Sequence, residues 1–149
     1  MMTKIEALTK MEEKGAYDAL ELRNEAATLT ETEIIDRELA APHFDAAKDY
    51  SQWPVNAPVQ DEGQVWLLLQ PHNAANYEGR PSTLRALWGL AHTKNPAKAK
   101  SYVAPAGTSG LYHADECVLW TDGKVYKSTM DNNSWTPDGY PAGWSEVTM

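Results

Sequence analysis

The sequence predicts an α+β protein, with a helical N-terminal region followed by two small antiparallel β modules. Three observations carry that expectation. Apolar residues at three-four spacing are confined to residues 3–41. Two apolar runs, Gly63-Gln64-Val65-Trp66-Leu67-Leu68-Leu69-Gln70 and Val118-Leu119-Trp120 with Val125-Tyr126, each sit beside a glycine turn. The two runs align at an offset of 60 residues, which reads as an internal repeat. The predicted regions are 1–45 (helical, for attachment or oligomerisation), 46–101 (a divergent first module with its linker) and 102–149 (the second module).

Residues 3 to about 22 are predicted helical from Ile5, Leu8, Met11, Ala16, Ala19 and Leu20, with Thr3 and Glu6 as a capping box. Gly15 weakens the middle by about 1 kcal/mol relative to alanine. The apolar stripe is narrow and interrupted, so this helix needs a partner: the body of its own chain, a larger assembly or another copy. Thr30 and Glu33 form a second capping box, with Ile34, Ile35 and Leu39 as the buried face and Ala41-Pro42 as the stop. Between His43 and Asp61 the periodicity is lost, and Pro54, Asn56 and Pro58 predict an extended, turn-rich connection.

The first module is predicted around the strand 63–70, introduced by the turn Asp61-Glu62-Gly63. A loop follows to Pro81, then a brief helical turn capped by Ser82 and ending near Trp88. Lys94, Pro96, Lys98 and Lys100 read as a polar linker, and Ala104 to Gly110 as a second breaker. In the second module, Asp122-Gly123 turns one strand back on the next. The offset places Gly63-Gln64-Val65-Trp66 over Gly123-Lys124-Val125-Tyr126, and each copy closes on a tryptophan, Trp88 or Trp144. From first aromatic to closing tryptophan the spacing is 22 residues in one copy and 18 in the other.

Composition excludes several classes. A net charge of −8 argues against general nucleic-acid binding, which needs a cationic surface. The single cysteine, Cys117, permits neither an internal disulfide nor a paired-thiolate zinc site. No apolar run approaches the roughly 20 residues that span a bilayer, and the N-terminus lacks a signal-peptide core, so folding in the cytoplasm is expected. The chain carries six Trp and seven Tyr but one Phe, a bias toward rings that combine an apolar face with a polar handle.

The C-terminal residues Val118, Gly123-Lys124-Val125-Tyr126, Trp135-Thr136-Pro137 and Pro141-Ala142-Gly143-Trp144 resemble the small carbohydrate-binding modules of chitinases (families five and twelve). The likeness runs from Leu111 to Val147 and departs from the pattern at Lys127-Ser128-Thr129-Met130, where adjacent aromatics are usual. Gly63 to Trp66 with Pro71-His72-Asn73, and Gly107 to Tyr112, resemble segments of structural proteins of tailed phages and prophages. That resemblance implies a virion protein of the tail, baseplate or head decoration. It would be assembled in the bacterial cytoplasm, contact host-surface polysaccharide and associate with other virion proteins. A homo-oligomer is expected, since weak modules gain avidity from copy number.

The candidate glycan-binding residues are Trp120, Trp135 and Tyr140 as stacking faces, with Asp131, Asn132 and Asn133 as hydroxyl partners. Tyr126 and Trp144 are assigned to the core. For Trp135 and Tyr140, a structural lid is the competing role, because modules this small fill their cores with aromatics. No catalytic constellation, cofactor or metal site is expected. His43, His72, His92 and His113 lie on separate segments, and Cys117 lacks a neighbouring cation in sequence. The rival function is a structural adaptor in which Trp66, Trp88 and Trp135 are buried in protein-protein contacts.

Overall fold

The computed structural model describes residues 4–148, with side chains from residue 13 onward. Helix α1 spans Lys4–Glu25 and α2 spans Glu31–Asp36. Strands β1 (Pro58–Asp61), β2 (Gln64–Leu68) and β3 (Trp88–Leu90) form a sheet in that order. Strands β4 (Lys100–Ser101), β5 (Cys117–Leu119), β6 (Val125–Ser128) and β7 (Trp144–Val147) form a second. All pairs are antiparallel except β4–β5, which is parallel. The chain is therefore α+β, with a helical start and two small β modules. The Thr3–Glu6 capping box lies outside the described residues.

Helix α2 begins as its sequence dictates. Thr30 Oγ1 accepts from the Glu33 N–H (3.1 Å) and Glu33 Oε1 accepts from the Thr30 N–H (3.0 Å), so two N–H groups are satisfied reciprocally. Ile34 and Ile35 are buried, but Leu39 is 90% exposed, which corrects the expected buried face. The helix stops at Asp36, and Leu39 sits in a 3₁₀ turn, Glu38–Ala40. The three-residue period of that turn rotates Leu39 off the face that carries Ile34 and Ile35.

Strand β2 is buried along its whole length because it is covered on both faces. Trp66 and Leu68 point into an aromatic core with Tyr50, Val59 and Trp88. Val65 and Leu67 point the other way, onto Ala26, Ile34 and Ile35 of the helical region. Period-two geometry in a continuous apolar run needs two apolar partners, and the sheet and helices supply them. The C-terminal end of α1 thus docks within the chain. Farther toward its N-terminus, residues 13–17 are exposed.

The segment 43–57 is more than a connection. Phe44 and Tyr50 stack at 6.1 Å, and both meet the Trp88 ring edge-on, at 5.9 and 5.2 Å. The helical turn expected after Ser82 is also corrected. Thr83, not Ser82, accepts the Arg80 N–H (3.0 Å), while Ser82 Oγ donates to Glu62 (3.2 Å) and the backbone forms consecutive turns rather than a helix. Arg80 anchors this insertion through two bonds to Asp61, at 2.7 and 2.8 Å, and one contact with Glu62 at 2.9 Å.

The two sheets are copies of one design. Trp88 pairs with Leu68 and Trp144 with Ser128, and the partners Leu68 and Ser128 lie 60 residues apart. Tyr102 and Tyr112 stack at 5.4 Å and Tyr112 meets Trp144 edge-on at 5.4 Å, which repeats the Phe44–Tyr50–Trp88 arrangement. Tyr50 Oη accepts from the Asp45 N–H (2.9 Å), and Tyr112 Oη accepts from the Val103 N–H (3.1 Å). Each hydroxyl therefore takes the amide following the first aromatic of its own triad. The hairpin turns differ by one residue. Glu62 and Gly63 both have positive φ (53° and 75°), as a two-residue I′ turn requires, whereas Thr121 to Gly123 form a three-residue turn with Gly123 at φ 81°.

The modules meet around His92. Its Nδ1 lies 3.0 Å from Glu116 Oε1, its ring stacks on Tyr112 at 3.9 Å, and its N–H donates to Glu31 Oε1 at 3.1 Å. Cys117 N–H donates to the Thr93 carbonyl (2.8 Å), and Lys100 pairs with the half-buried Glu38 at 2.7 Å. No described helix is long and apolar enough to cross a membrane.

Candidate functional site

In the second module the chain after β6 must return to β7, and Asn133 fixes the corner. Asn133 is fully buried. Its Nδ2 donates to Ser128 Oγ (3.1 Å) and to the Gly143 carbonyl (2.9 Å), while Oδ1 accepts from the Trp135 N–H (3.0 Å). This corrects its assignment as a hydroxyl partner, because both ends of the carboxamide are committed inside the fold. The first module has the same corner in weaker form: Asn73 Oδ1 accepts from the Ala75 N–H at 3.1 Å.

Trp135 is held at both ends of its peptide unit. Its N–H goes to Asn133, and its carbonyl accepts from Trp144 Nε1 at 3.0 Å. The next turn is tied by Gly139 N–H to Thr136 Oγ1 (2.8 Å) and by Tyr140 N–H to the Thr136 carbonyl (3.1 Å). This frame leaves Trp135 52% exposed and Tyr140 44% exposed, with ring centroids 5.9 Å apart and planes tilted by 56°. Anchored backbone under outward-facing rings is a preorganised contact surface, since little order remains to be imposed on binding.

The other expected residues divide. Trp120 is half-buried and packs edge-on against Tyr102 at 5.4 Å, so its ring belongs to the core stack rather than to the Trp135–Tyr140 pair. That corrects the expected three-ring face: Trp120 follows β5 and packs on Tyr102, whereas the pair sits on the loop beyond β6. Asp131 is exposed and spends Oδ1 on the Ala114 N–H (3.0 Å). Asn132 is exposed, at φ 54°, with its N–H donated to His113 Nδ1 (3.2 Å) and its carboxamide making no hydrogen bond among the described residues. Trp144 is buried as expected, and Tyr126 packs against the same cluster while its Oη donates to Asp122 Oδ2 (2.7 Å).

A groove of about 840 Å³ lies elsewhere, between the α1–α2 corner, the back of the first sheet and the loops before β5. Its walls include Leu29, Leu67, Leu69, Glu31, His92 and Glu116, and among the described residues no Trp, Tyr or Phe ring lines it. Size alone favours the groove, but a sugar ring finds no stacking face there. Packing at the carboxylate end of Glu31 pushes its carboxyl up, although the residue as a whole is exposed. Burial also works to raise Glu116, but the His92 hydrogen bond and charge and the His113 N–H outweigh it and hold the carboxyl below the usual value. Among the described residues, no group of three or more His, Cys, Asp or Glu is placed to hold a metal ion. Cys117 is buried, and that burial pushes its thiol up, opposite to what a nucleophile needs.

The Glu116 shift gives a pH prediction with a definite sign. A carboxyl depressed in the folded state stabilises above its unfolded value, and that contribution is lost as pH falls through the folded value. Acid destabilisation below about pH 4.5, the ordinary Glu value, is expected to be shallower in Glu116→Gln than in the parent. Glu31 works in the opposite sense, because its raised carboxyl resists ionisation above that pH. Urea midpoints measured from pH 3 to 6 test this, and parallel acid limbs in the two proteins would refute it.

The sequence reading missed that each repeat begins upstream of its first strand. Asn73 and Asn133, also 60 residues apart, were an available signal. The Phe44–Tyr50 and Tyr102–Tyr112 pairs were masked by their unequal spacing. Compared with known proteins, the chain matches no family model and no curated protein.

Proposed function

We propose that this chain is a structural protein of a tailed-phage or prophage virion that binds host-surface glycan through Trp135 and Tyr140. The observation that carries the binding face is the contrast between the two modules. Stacked aromatics, a closing tryptophan and an asparagine corner occur in both, so the fold needs them. The exposed pair does not share that status: Ala75 occupies the place of Trp135 beside the corner of the first module, and the one exposed ring on that loop, Tyr77, sits edge-on against His72 at 5.4 Å rather than beside a second exposed ring. A pair of large rings held outward at solvent cost is best explained by a flat apolar ligand face. The C–H face of a pyranose is such a ligand, and Asn132 and Asp131 stand nearby in the chain to take hydroxyls. The virion assignment rests on the sequence resemblance.

The adaptor reading keeps one supporting feature. Tyr17 (65%), Leu20 (44%) and Leu39 (90%) are exposed on the helical region, which suits docking onto other virion proteins. In its original form it placed Trp66 and Trp88 in an interface as well, but both are core residues at 1% and 0% exposure. The two roles then fall on different ends of the chain: attachment through the helices and glycan contact through the second module.

Trp135→Ala tests the reading. With Trp135 already 52% exposed, the folded protein is expected to lose only about 1 kcal/mol or less. Binding to host cell-wall polysaccharide is expected to fall at least roughly tenfold, the scale of a central aromatic contact. Affinity electrophoresis on immobilised polysaccharide, with circular dichroism to check folding, measures both. Unchanged retention of a folded variant would remove the glycan assignment.

A further inference from the structure

The tilt between the Trp135 and Tyr140 rings narrows the kind of glycan, and this step rests on reading that pair as a glycan-binding surface. The tilt is built on fixed backbone. Trp135 is bonded through its N–H to Asn133 and through its carbonyl to Trp144. Tyr140 is held in the same way: its N–H donates to the Thr136 carbonyl (3.1 Å), and its carbonyl accepts from the Gly143 N–H (2.9 Å). Gly143 also seats the Tyr140 ring. A Cβ there would lie 3.0 Å from Tyr140 Cδ2 and 3.2 Å from Asn133 Nδ2, so the ring edge fills space that a side chain at 143 would contest.

Two distances limit what can bind. A sugar sandwiched between rings needs about 7–8 Å between their centroids, two carbon contacts of about 3.5–4.0 Å each, and these rings are 5.9 Å apart. The sugar therefore lies on an outward ring face. Those faces are inclined by 56°, so the pair forms two facets and not one flat platform. A chain that covers both must turn its sugar faces by a comparable angle from one unit to the next. A straight ribbon, whose successive sugar faces are parallel, covers one facet and leaves the other in water. We infer that the site selects glycan chains that curve from sugar to sugar, as amylose and laminarin chains do, over straight cellulose-type ribbons and the flat surfaces they stack into. Each ring then takes its own sugar, and the second contact is open to the curved chain alone.

The experiment measures, by calorimetry on the full chain, maltohexaose, laminarihexaose and cellohexaose, which hold the same sugar in the same number and differ only in linkage. The two curved hexamers are expected to bind roughly three- to tenfold more tightly than cellohexaose, the yield of one further aromatic contact. In Tyr140→Ala that preference is expected to vanish: the curved hexamers fall to the level of cellohexaose, whose own affinity through Trp135 stays unchanged. Circular dichroism checks the fold, and Tyr140→Leu, which keeps apolar bulk without a flat face, serves if the alanine variant loses it. Equal affinities for the three hexamers, lost in Trp135→Ala, would overturn this inference and leave the glycan-binding surface standing, as would tighter binding of cellohexaose. A preference that survives the Tyr140 variant would overturn it too, since the second facet would not be its source. Absence of binding to all three would also overturn it, because facets that read only sugar faces take any glucose chain. Trp135-dependent retention on host polysaccharide then decides whether the glycan reading itself stands.

Discussion

Trp88→Ala is expected to cost about 3–5 kcal/mol, the range for deleting a fully buried large aromatic. That is a large part of the stability of a small domain, about 5–15 kcal/mol. Trp88 has no exposed surface and makes edge-on contacts with Tyr50 (5.2 Å), His72 (5.5 Å) and Phe44 (5.9 Å), so its loss opens a cavity where three segments meet. Trp88→Phe is expected to be far milder, within about 1.5 kcal/mol. The buried Trp88 Nε1 has no hydrogen-bond partner, so phenylalanine removes an unpaired donor along with part of the ring. The matching change at the other module, Trp144→Phe, is expected to cost more, because Trp144 Nε1 donates to the Trp135 carbonyl. Urea unfolding of the three variants decides the matter. Equal costs for the two phenylalanine variants would mean that the unpaired Trp88 donor has found a partner.

The fold class was legible because its signals are local. Thr30 and Glu33 announce α2 by a reciprocal bond within four residues, and Gly63 and Gly123 mark turns whose positive φ favours glycine. Leu39 misled because helical spacing was extended across Asp36, where the backbone tightens into a 3₁₀ turn. Phe44 and Tyr50 were hidden for a different reason. Their partners Trp88 and His72 are far along the chain, so no local period records that a proline-bearing stretch is sheet-backed core. Five of the thirteen Trp and Tyr residues whose excess suggested ligand contact are spent on the two aromatic triads.

At the candidate site the residue types were readable and their roles were not. Trp135 and Tyr140 were named together and are found together on the surface. Trp120 has the same chemistry, yet it directly follows β5 and packs edge-on against Tyr102 at 5.4 Å. Asn132 and Asn133 are adjacent and chemically identical, but one is exposed and the other has no exposed surface. What separates them is a bridge between Tyr112 and Asn133, a contact between residues 21 apart that neighbouring sequence cannot specify.

That same asparagine makes the sharpest test of how fold and site are joined. Asn133→Ala is expected to cost about 3 kcal/mol, because it removes three hydrogen bonds, takes the partner from the Trp135 N–H and leaves the Gly143 carbonyl with only its bond from the Thr129 N–H (3.0 Å). Asn133→Asp is expected to be no better, since it keeps the acceptor for Trp135 but places an ionised oxygen against the Gly143 carbonyl. Asn73→Ala at the equivalent corner is expected to cost only about 1 kcal/mol, as that side chain is half-buried and makes one recorded bond. Because Asn133 also fixes the peptide under Trp135, the alanine variant is expected to lose glycan affinity even at temperatures where it remains folded. Thermal unfolding and polysaccharide retention measured on the same samples separate the two effects. If Asn133→Ala proves as mild as Asn73→Ala, the corner does not organise the loop. The Trp135 backbone would then be held by its Trp144 bond alone, and the preorganisation that distinguishes the second module from the first would have to be sought in the Thr136–Tyr140 turn.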